Sequence, residues 1–153
     1  MIHGEIIADV GSDHAYLPIW LYLNQKIKKA YALDISENCV DRIKTNLQKY
    51  HIPEDIIIPV LSDGLSCFEN NNNFQELTDI IIAGMGGETI AGILHNPREN
   101  INININYILQ PNSKIIFLKK YLHKNKFEII REEIVQSKKK FYTIINAKLK
   151  RGE

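Results

Sequence analysis

The stretch Glu5–Pro18, EIIADVGSDHAYLP, decides how the rest of the 153-residue chain is read. It opens with an apolar run, Ile6, Ile7 and Ala8, meets an acid at Asp9 and reaches a glycine at Gly11. A small polar turn follows, then an apolar segment from Tyr16. Such a pattern predicts a buried strand, a tight turn and a helix start. It would set backbone N–H groups and a helix N-terminus at the carboxyl end of a central strand, where open α/β sheets bind ligands. The acid at Asp9 disfavours a pyrophosphate and favours a zwitterionic or cationic ligand. An ordinary strand–helix connection would show the same pattern without any ligand.

Working outward, the apolar residues alternate between strand-like and helix-like runs. The first helix is expected to bury Leu17, Trp20, Leu21 and Ile27, with Pro18 accommodated in its first turn. Ala30–Leu33 predicts a second strand ending at Asp34, an acid about twenty residues past the glycine turn and so placed for ribose hydroxyls. Ser36 is the expected N-cap of a helix to Tyr50, whose Val40, Ile43, Leu47 and Tyr50 recur at helical spacing as core. Ile56–Leu61 predicts a third strand, with Pro59 marking a lightly paired position and Ser62-Asp63-Gly64 a polar turn. Asn70–Asn73 reads as a surface loop.

Thr78–Ala83 predicts a fourth strand buried on both faces, running into Gly84-Met85-Gly86-Gly87 and a helix with Ile90, Ile93 and Leu94. Three glycines in four residues imply close backbone approach by a ligand or a neighbouring segment. The Ile/Asn run from Asn100 to Asn106 is compositionally biased. A fifth strand is expected at Tyr107–Leu109, then Gln110-Pro111-Asn112 and a helix from Ser113 to Lys124 carrying Ile116, Leu118 and Leu122. Phe127–Val135 and Phe141–Leu149 both read as strands with only five residues between them. A parallel crossover needs a dozen or more residues, so these two must pair antiparallel. The expected fold is therefore a mostly parallel, Rossmann-like α/β sheet with a C-terminal antiparallel hairpin, one domain over residues 1–153.

Composition is that of a globular chain, 44% hydrophobic and 24% charged. No apolar run approaches the roughly 20 residues of a membrane span, and no secretory segment precedes the first strand. Cys39 and Cys67 lack metal-ligand spacing and fit reduced thiols, so a cytoplasmic protein without a metal is expected. The net charge of +1 hides a division: residues 1–113 hold 7 Lys/Arg against 14 Asp/Glu, residues 114–153 hold 12 against 4. Such asymmetry is either a hint of a polyanionic partner or a solvated lysine-rich face.

With ADVGSDHAYLP, SDGL, IIAGMGG and LQPN in this order, the chain resembles the bacterial tRNA (adenine-22, N1)-methyltransferase family of the TrmK type, from about residue 5 to about 149. The resemblance implies a class I methyltransferase fold, S-adenosyl-L-methionine as cofactor and tRNA as substrate. It also implies that this chain carries the methyltransferase core without the family's C-terminal helical extension. Cofactor binding would fall to Asp9, Gly11, Ser12, Asp34, Ile35, Asp63, Gly64 and Ala83. Asp9 would face the amino group of the methionine moiety, Asp34 the ribose and Asp63 the adenine.

Asp13, His14, Gly84, Met85 and Gly86 would form the catalytic surroundings of the target base. Adenine N1 already has an in-plane lone pair, so positioning rather than deprotonation would carry the reaction, with acceptors easing the cationic product. Asp13 could accept from the adenine amine, and His14 either transfers a proton or holds the loop. Lys119, Lys120, Lys124, Lys138, Lys139 and Lys140 would contact phosphates. Rival readings are a methyltransferase of the same fold with another substrate and a non-catalytic or truncated S-adenosylmethionine-binding module. A nicotinamide dehydrogenase is disfavoured, because Asp13 stands where G-x-G-x-x-G needs its second glycine.

Overall fold

In a computed structural model of the chain, the described residues are 1–69, 75–95, 104–150 and 152. Seven strands form one sheet, and helices lie on both of its faces. In chain order these are β1 (Ile6–Val10), α1 (Tyr16–Leu23), β2 (Lys29–Asp34), α2 (Glu37–Lys49), β3 (Ile57–Leu61), β4 (Asp79–Gly86), α3 (Gly87–His95), β5 (Asn106–Ser113), α4 (Ile115–Lys124), β6 (Phe127–Ser137) and β7 (Lys140–Leu149). The spatial order is β3-β2-β1-β4-β5-β7-β6. The first five strands are parallel, while β7 enters antiparallel between β5 and β6. The chain reverses its direction of growth between β1 and β4, the switch point where such sheets bind ligands.

Alternation along the central strands sorts the core into two layers. Ile7, Ala30, Ala32, Ile81 and Ile108 face α1 and α2. Ala8, Val10, Leu33, Ile80, Ile82 and Leu109 face α3 and α4. Strands buried on both faces read as near-continuous apolar runs, which is why these segments were legible. Pro59 sits in β3, an edge strand, where its missing N–H is tolerated. A buried chain of Asp79, Asn106 and Asn146 side chains runs across three strands, and Asp79 accepts the backbone N–H groups of His3 and Gly4 at 2.9 and 3.0 Å.

Four expectations need correction. Leu17 and Trp20 are not buried; Pro18, Ile19 and Leu21 are. The helix reads YLPIWLYL, apolar all round, so periodicity could not choose the buried face. Leu17 and Trp20 instead line an open groove of about 750 Å³ over Ile81, Ile108 and Ile144. Tyr50 lies past the last turn of α2 as its C-cap and is 40% exposed rather than core, and Ile116 is exposed in the first turn of α4. The fourth strand does not stop at Ala83: β4 continues to Gly86, pairing with β5 to Ser113 with register shifts on either side of Met85. Asn70–Asn73, and residues 100–103 of the Ile/Asn run, lie outside the described residues. Among the described residues no helix is long and apolar enough to cross a membrane.

Candidate active site

The turn after β1 is built from left-handed residues. Gly11, Asp13 and Ala15 have φ of 70°, 55° and 57°. This conformation is strained for residues with a Cβ, and the surrounding bonds hold it in place. Ser12 N–H donates to the Leu33 carbonyl at 2.9 Å, fastening the turn to β2. Ser12 Oγ donates to Asp9 at 2.8 Å. Asp13 N–H and Ser36 N–H donate to the two Asp34 oxygens at 3.0 and 3.1 Å. Asp34 thus clamps the turn after β1 to the start of α2, which the sequence did not reveal.

Asp9 and Asp34 are both buried, and among the described residues neither has a cationic side-chain partner. Burial raises the Asp9 carboxyl from 3.8 to about 7; the Ser12 hydrogen bond opposes that rise and the nearby Asp34 charge adds to it. Each Asp34 oxygen accepts one backbone N–H and keeps a further lone pair for another donor. Next to it Ile35 is 68% exposed, an apolar side chain with no core to join. The third strand end is similarly shaped: Gly64 has φ 56°, and Ser62 Oγ donates to its carbonyl at 2.9 Å. Asp63 stays exposed there.

On the other side of β1, Gly84 with φ 75° donates its N–H to Gln110 Oε1 at 2.8 Å. Gln110 Nε2 donates to Asn112 at 3.0 Å, so the polar residues of LQPN shape this strand end. Sequence alone assigns them no role beyond a glutamine and an asparagine flanking a proline. Met85 reaches across to the first turn, its Cε only 2.3 Å from where a Cβ on Gly11 would lie. The glycines therefore have different causes. Gly87 is demanded by the backbone between β5 and α4, since a Cβ there would lie 2.3 Å from the Lys114 carbonyl oxygen. A Cβ at Gly86 would meet only Ser113 Oγ, at 3.1 Å.

Asp13 and His14 turn toward α2. The Asp13 carboxylate lies 3.6 Å from Arg42 and 3.7 Å from His14 Nε2, and Cys39 Sγ donates to it at 3.5 Å. The His14 ring stacks on Tyr16 at 5.0 Å, and its carbonyl accepts from Asn46 at 2.8 Å. The structure thus gathers Asp9, Gly11, Ser12, Asp34 and Met85 at the switch point, with Asp13 and His14 on its α2 flank. Arg42, Cys39 and Asn46, spread along a helix, gave no sequence signal of this contact.

This sheet, parallel over five strands and closed by an antiparallel seventh, is a fold shared with known proteins. Residues 1–145 match the family model described as a methyltransferase domain. The chain belongs to that family. Within the methyltransferase-domain family it is 33% identical over 145 residues to the Bacillus subtilis protein named tRNA (adenine(22)-N(1))-methyltransferase, covering 95% of this chain and 59% of that one. Its fold is similar to the crystal structure of the B. subtilis M1A22 tRNA methyltransferase TrmK, with TM-score 0.87, 32% identity and coverage of 97% of this chain and 62% of that chain. M. capricolum TrmK in complex with S-adenosyl-homocysteine gives TM-score 0.83 and 32% identity, over 97% of this chain and 63% of that chain. The chain spans about three fifths of the length of these relatives.

Proposed function

We propose that the 153-residue chain is a single Rossmann-like domain that transfers a methyl group from S-adenosyl-L-methionine to N1 of adenine 22 in tRNA. A tRNA substrate would place that activity in the cytoplasm. The observation that carries the reading is the pair of buried acids, Asp9 and Asp34, ending adjacent strands with no cationic side-chain partner among the described residues. Their chemistry fits the cofactor: Asp34 has lone pairs left for two ribose hydroxyls, and Asp9 suits a ligand bearing an ammonium or sulfonium. Gly11, Ser12 and Ala83 would supply the backbone surface, Ile35 an apolar face for the adenine, and Asp63 with Gly64 an acceptor for its amine.

When bound, the cofactor supplies an electrophilic methyl group. The chain's own part is to position the base. The bulged end of β4 offers Gly84 and Gly86 as backbone approached closely by the ring, with Met85 between them and Gly11. Asp13 lies within reach of Arg42 and His14, which hold its carboxylate as a fixed acceptor on the α2 flank. His14, stacked on Tyr16, shapes the turn rather than moving a proton. Lys119, Lys120, Lys124, Lys138, Lys139 and Lys140 supply a basic surface for phosphates.

The test is incubation with methyl-labelled S-adenosylmethionine and bacterial tRNA, followed by nucleoside analysis. Label in 1-methyladenosine is expected. Label in another nucleoside, or calorimetry showing no binding of S-adenosylhomocysteine, would overturn the proposal.

A further inference from the structure

β7 pairs with β5 only at Ala147, Asn146 and Ile145, whereas its pairing with β6 continues out to Ser137 and Lys140. The end of the hairpin is therefore a two-stranded arm that leaves the sheet. Because β7 runs antiparallel to β5, the arm points toward the edge where β4 and β5 end, the edge of the candidate site. Its outer residues 134–143, IVQSKKKFYT, hold three lysines and no acid, and Glu133 at its base is ion-paired with Arg131.

Ile134 and Phe141 are each 70% exposed. Ile134 stands opposite Thr143 and Phe141 opposite Gln136, which makes the two apolar residues diagonal neighbours on one face. That face is shared with Glu132, whose carboxylate takes Lys119 of α4 at 2.7 Å. Val135 and Tyr142 stand opposite each other on the other face. A two-stranded ribbon showing apolar groups on both sides gains little from them by itself. Lys138 also takes φ 56° at the tip, where hairpins favour asparagine or glycine.

We propose that this arm is a second RNA subsite, in which Phe141 stacks on an unpaired base flanking the methylated nucleotide while Lys138, Lys139 and Lys140 hold phosphates. The inference rests on the tRNA reading above and extends it to a nucleotide outside the reacting pocket. Three lysines without an acid fit a polyanion, and an exposed aromatic beside them fits an unstacked base, the combination that single-stranded nucleic acid requires. Phe141 lies two strand spacings from β4, roughly 10 Å laterally, so the base it meets is a neighbour of the target.

The experiment is fluorescence anisotropy with a fluorescein-labelled tRNA transcript carrying adenine at position 22, in the presence of S-adenosylhomocysteine and over a series of salt concentrations. Phe141→Ala should weaken binding about tenfold with an unchanged salt slope, and Phe141→Tyr should bind like the parent. The triple Lys138→Gln, Lys139→Gln, Lys140→Gln variant should weaken binding and lower the slope of log affinity against log salt by about 0.7–0.9 per lost contact. Parental affinity in Phe141→Ala would overturn the subsite, and so would full affinity in Phe141→Leu, which keeps apolar bulk without an aromatic face. Self-association lost in Phe141→Ala with tRNA binding unchanged would assign the arm to a second copy instead and overturn it too. A parent chain that methylates no tRNA adenine would overturn the function itself, and that result is read from nucleoside analysis, independently of these variants.

Discussion

The middle of the sheet and its C-terminal edge treat the strand ends in opposite ways. At β1 and β2 the strands are buried along almost their whole length, and their terminal acids sit under a turn held by backbone and side-chain bonds. At β6 and β7 the strands run on past their neighbours, and most of β6 is exposed. One region closes on itself around acids that no cation among the described residues balances. The other extends basic and apolar groups that nothing in the described chain covers. A small ligand with fixed geometry suits the first, because its groups are positioned before binding. A large, deformable polyanion suits the second, where area and charge matter more than exact placement.

That contrast breaks first at Asp34. Asp34→Ala removes the acceptor of two backbone N–H groups and the proposed ribose contact together. We expect S-adenosylhomocysteine binding to fall by more than about a hundredfold in calorimetry, and thermal unfolding to show a loss of about 1–3 kcal/mol for each donor left without a partner. Unchanged affinity would take Asp34 out of the site. Next comes Gly86→Val. Its Cβ meets only a rotatable hydroxyl, Ser113 Oγ, so the protein should fold and bind S-adenosylhomocysteine normally. Methyl transfer should drop about a hundredfold if the base approaches this backbone; normal turnover would show that it binds elsewhere.

A smaller effect, tunable by pH, concerns Asp9. Its folded pKa of about 7 lies above the ordinary 3.8, with burial the main cause, Ser12 opposing it and Asp34 reinforcing it. The folded state therefore keeps a proton that the unfolded state has lost between these values, and Asp9's contribution to stability declines as pH rises through that window and levels off above it. The α-ammonium of the ligand prefers the ionised form, so S-adenosylhomocysteine affinity should rise up to about tenfold per pH unit below pH 7 and then flatten. Asp9→Asn should remove this dependence; a pH profile identical in the variant would sink the assignment.

The smallest expected effect is at the far end. Ile134→Ser on the arm should shift the unfolding free energy by less than about 0.5 kcal/mol, whereas Ile82→Ala in the buried layer should cost about 2–5 kcal/mol. A large loss at Ile134 would mean that the arm's apolar residues belong to the core after all.

Much of this architecture is a property of local sequence. Runs of apolar residues ending at Asp9, Asp34 and Ala83 dictate buried strands, because a strand covered on both faces carries polar residues only where they find hydrogen-bond partners. Ser36 announces its helix by the hydrogen bond it accepts from Cys39, and the short link between the last two strands leaves only antiparallel pairing. What only tertiary structure decided are choices between options that look alike in one dimension. Which side of α1 is buried depends on the sheet beneath it, since that helix is apolar all round. Whether Gly84 and Gly86 form a loop or a bulged strand depends on β5 lying alongside, and whether Asp34 merely ends a strand or clamps the turn before it depends on Asp13 arriving from 21 residues away. Periodicity reports how often a residue meets the core. It carries no record of which distant backbone donor will stand beside a given acid, and that pairing is set when the strands come together.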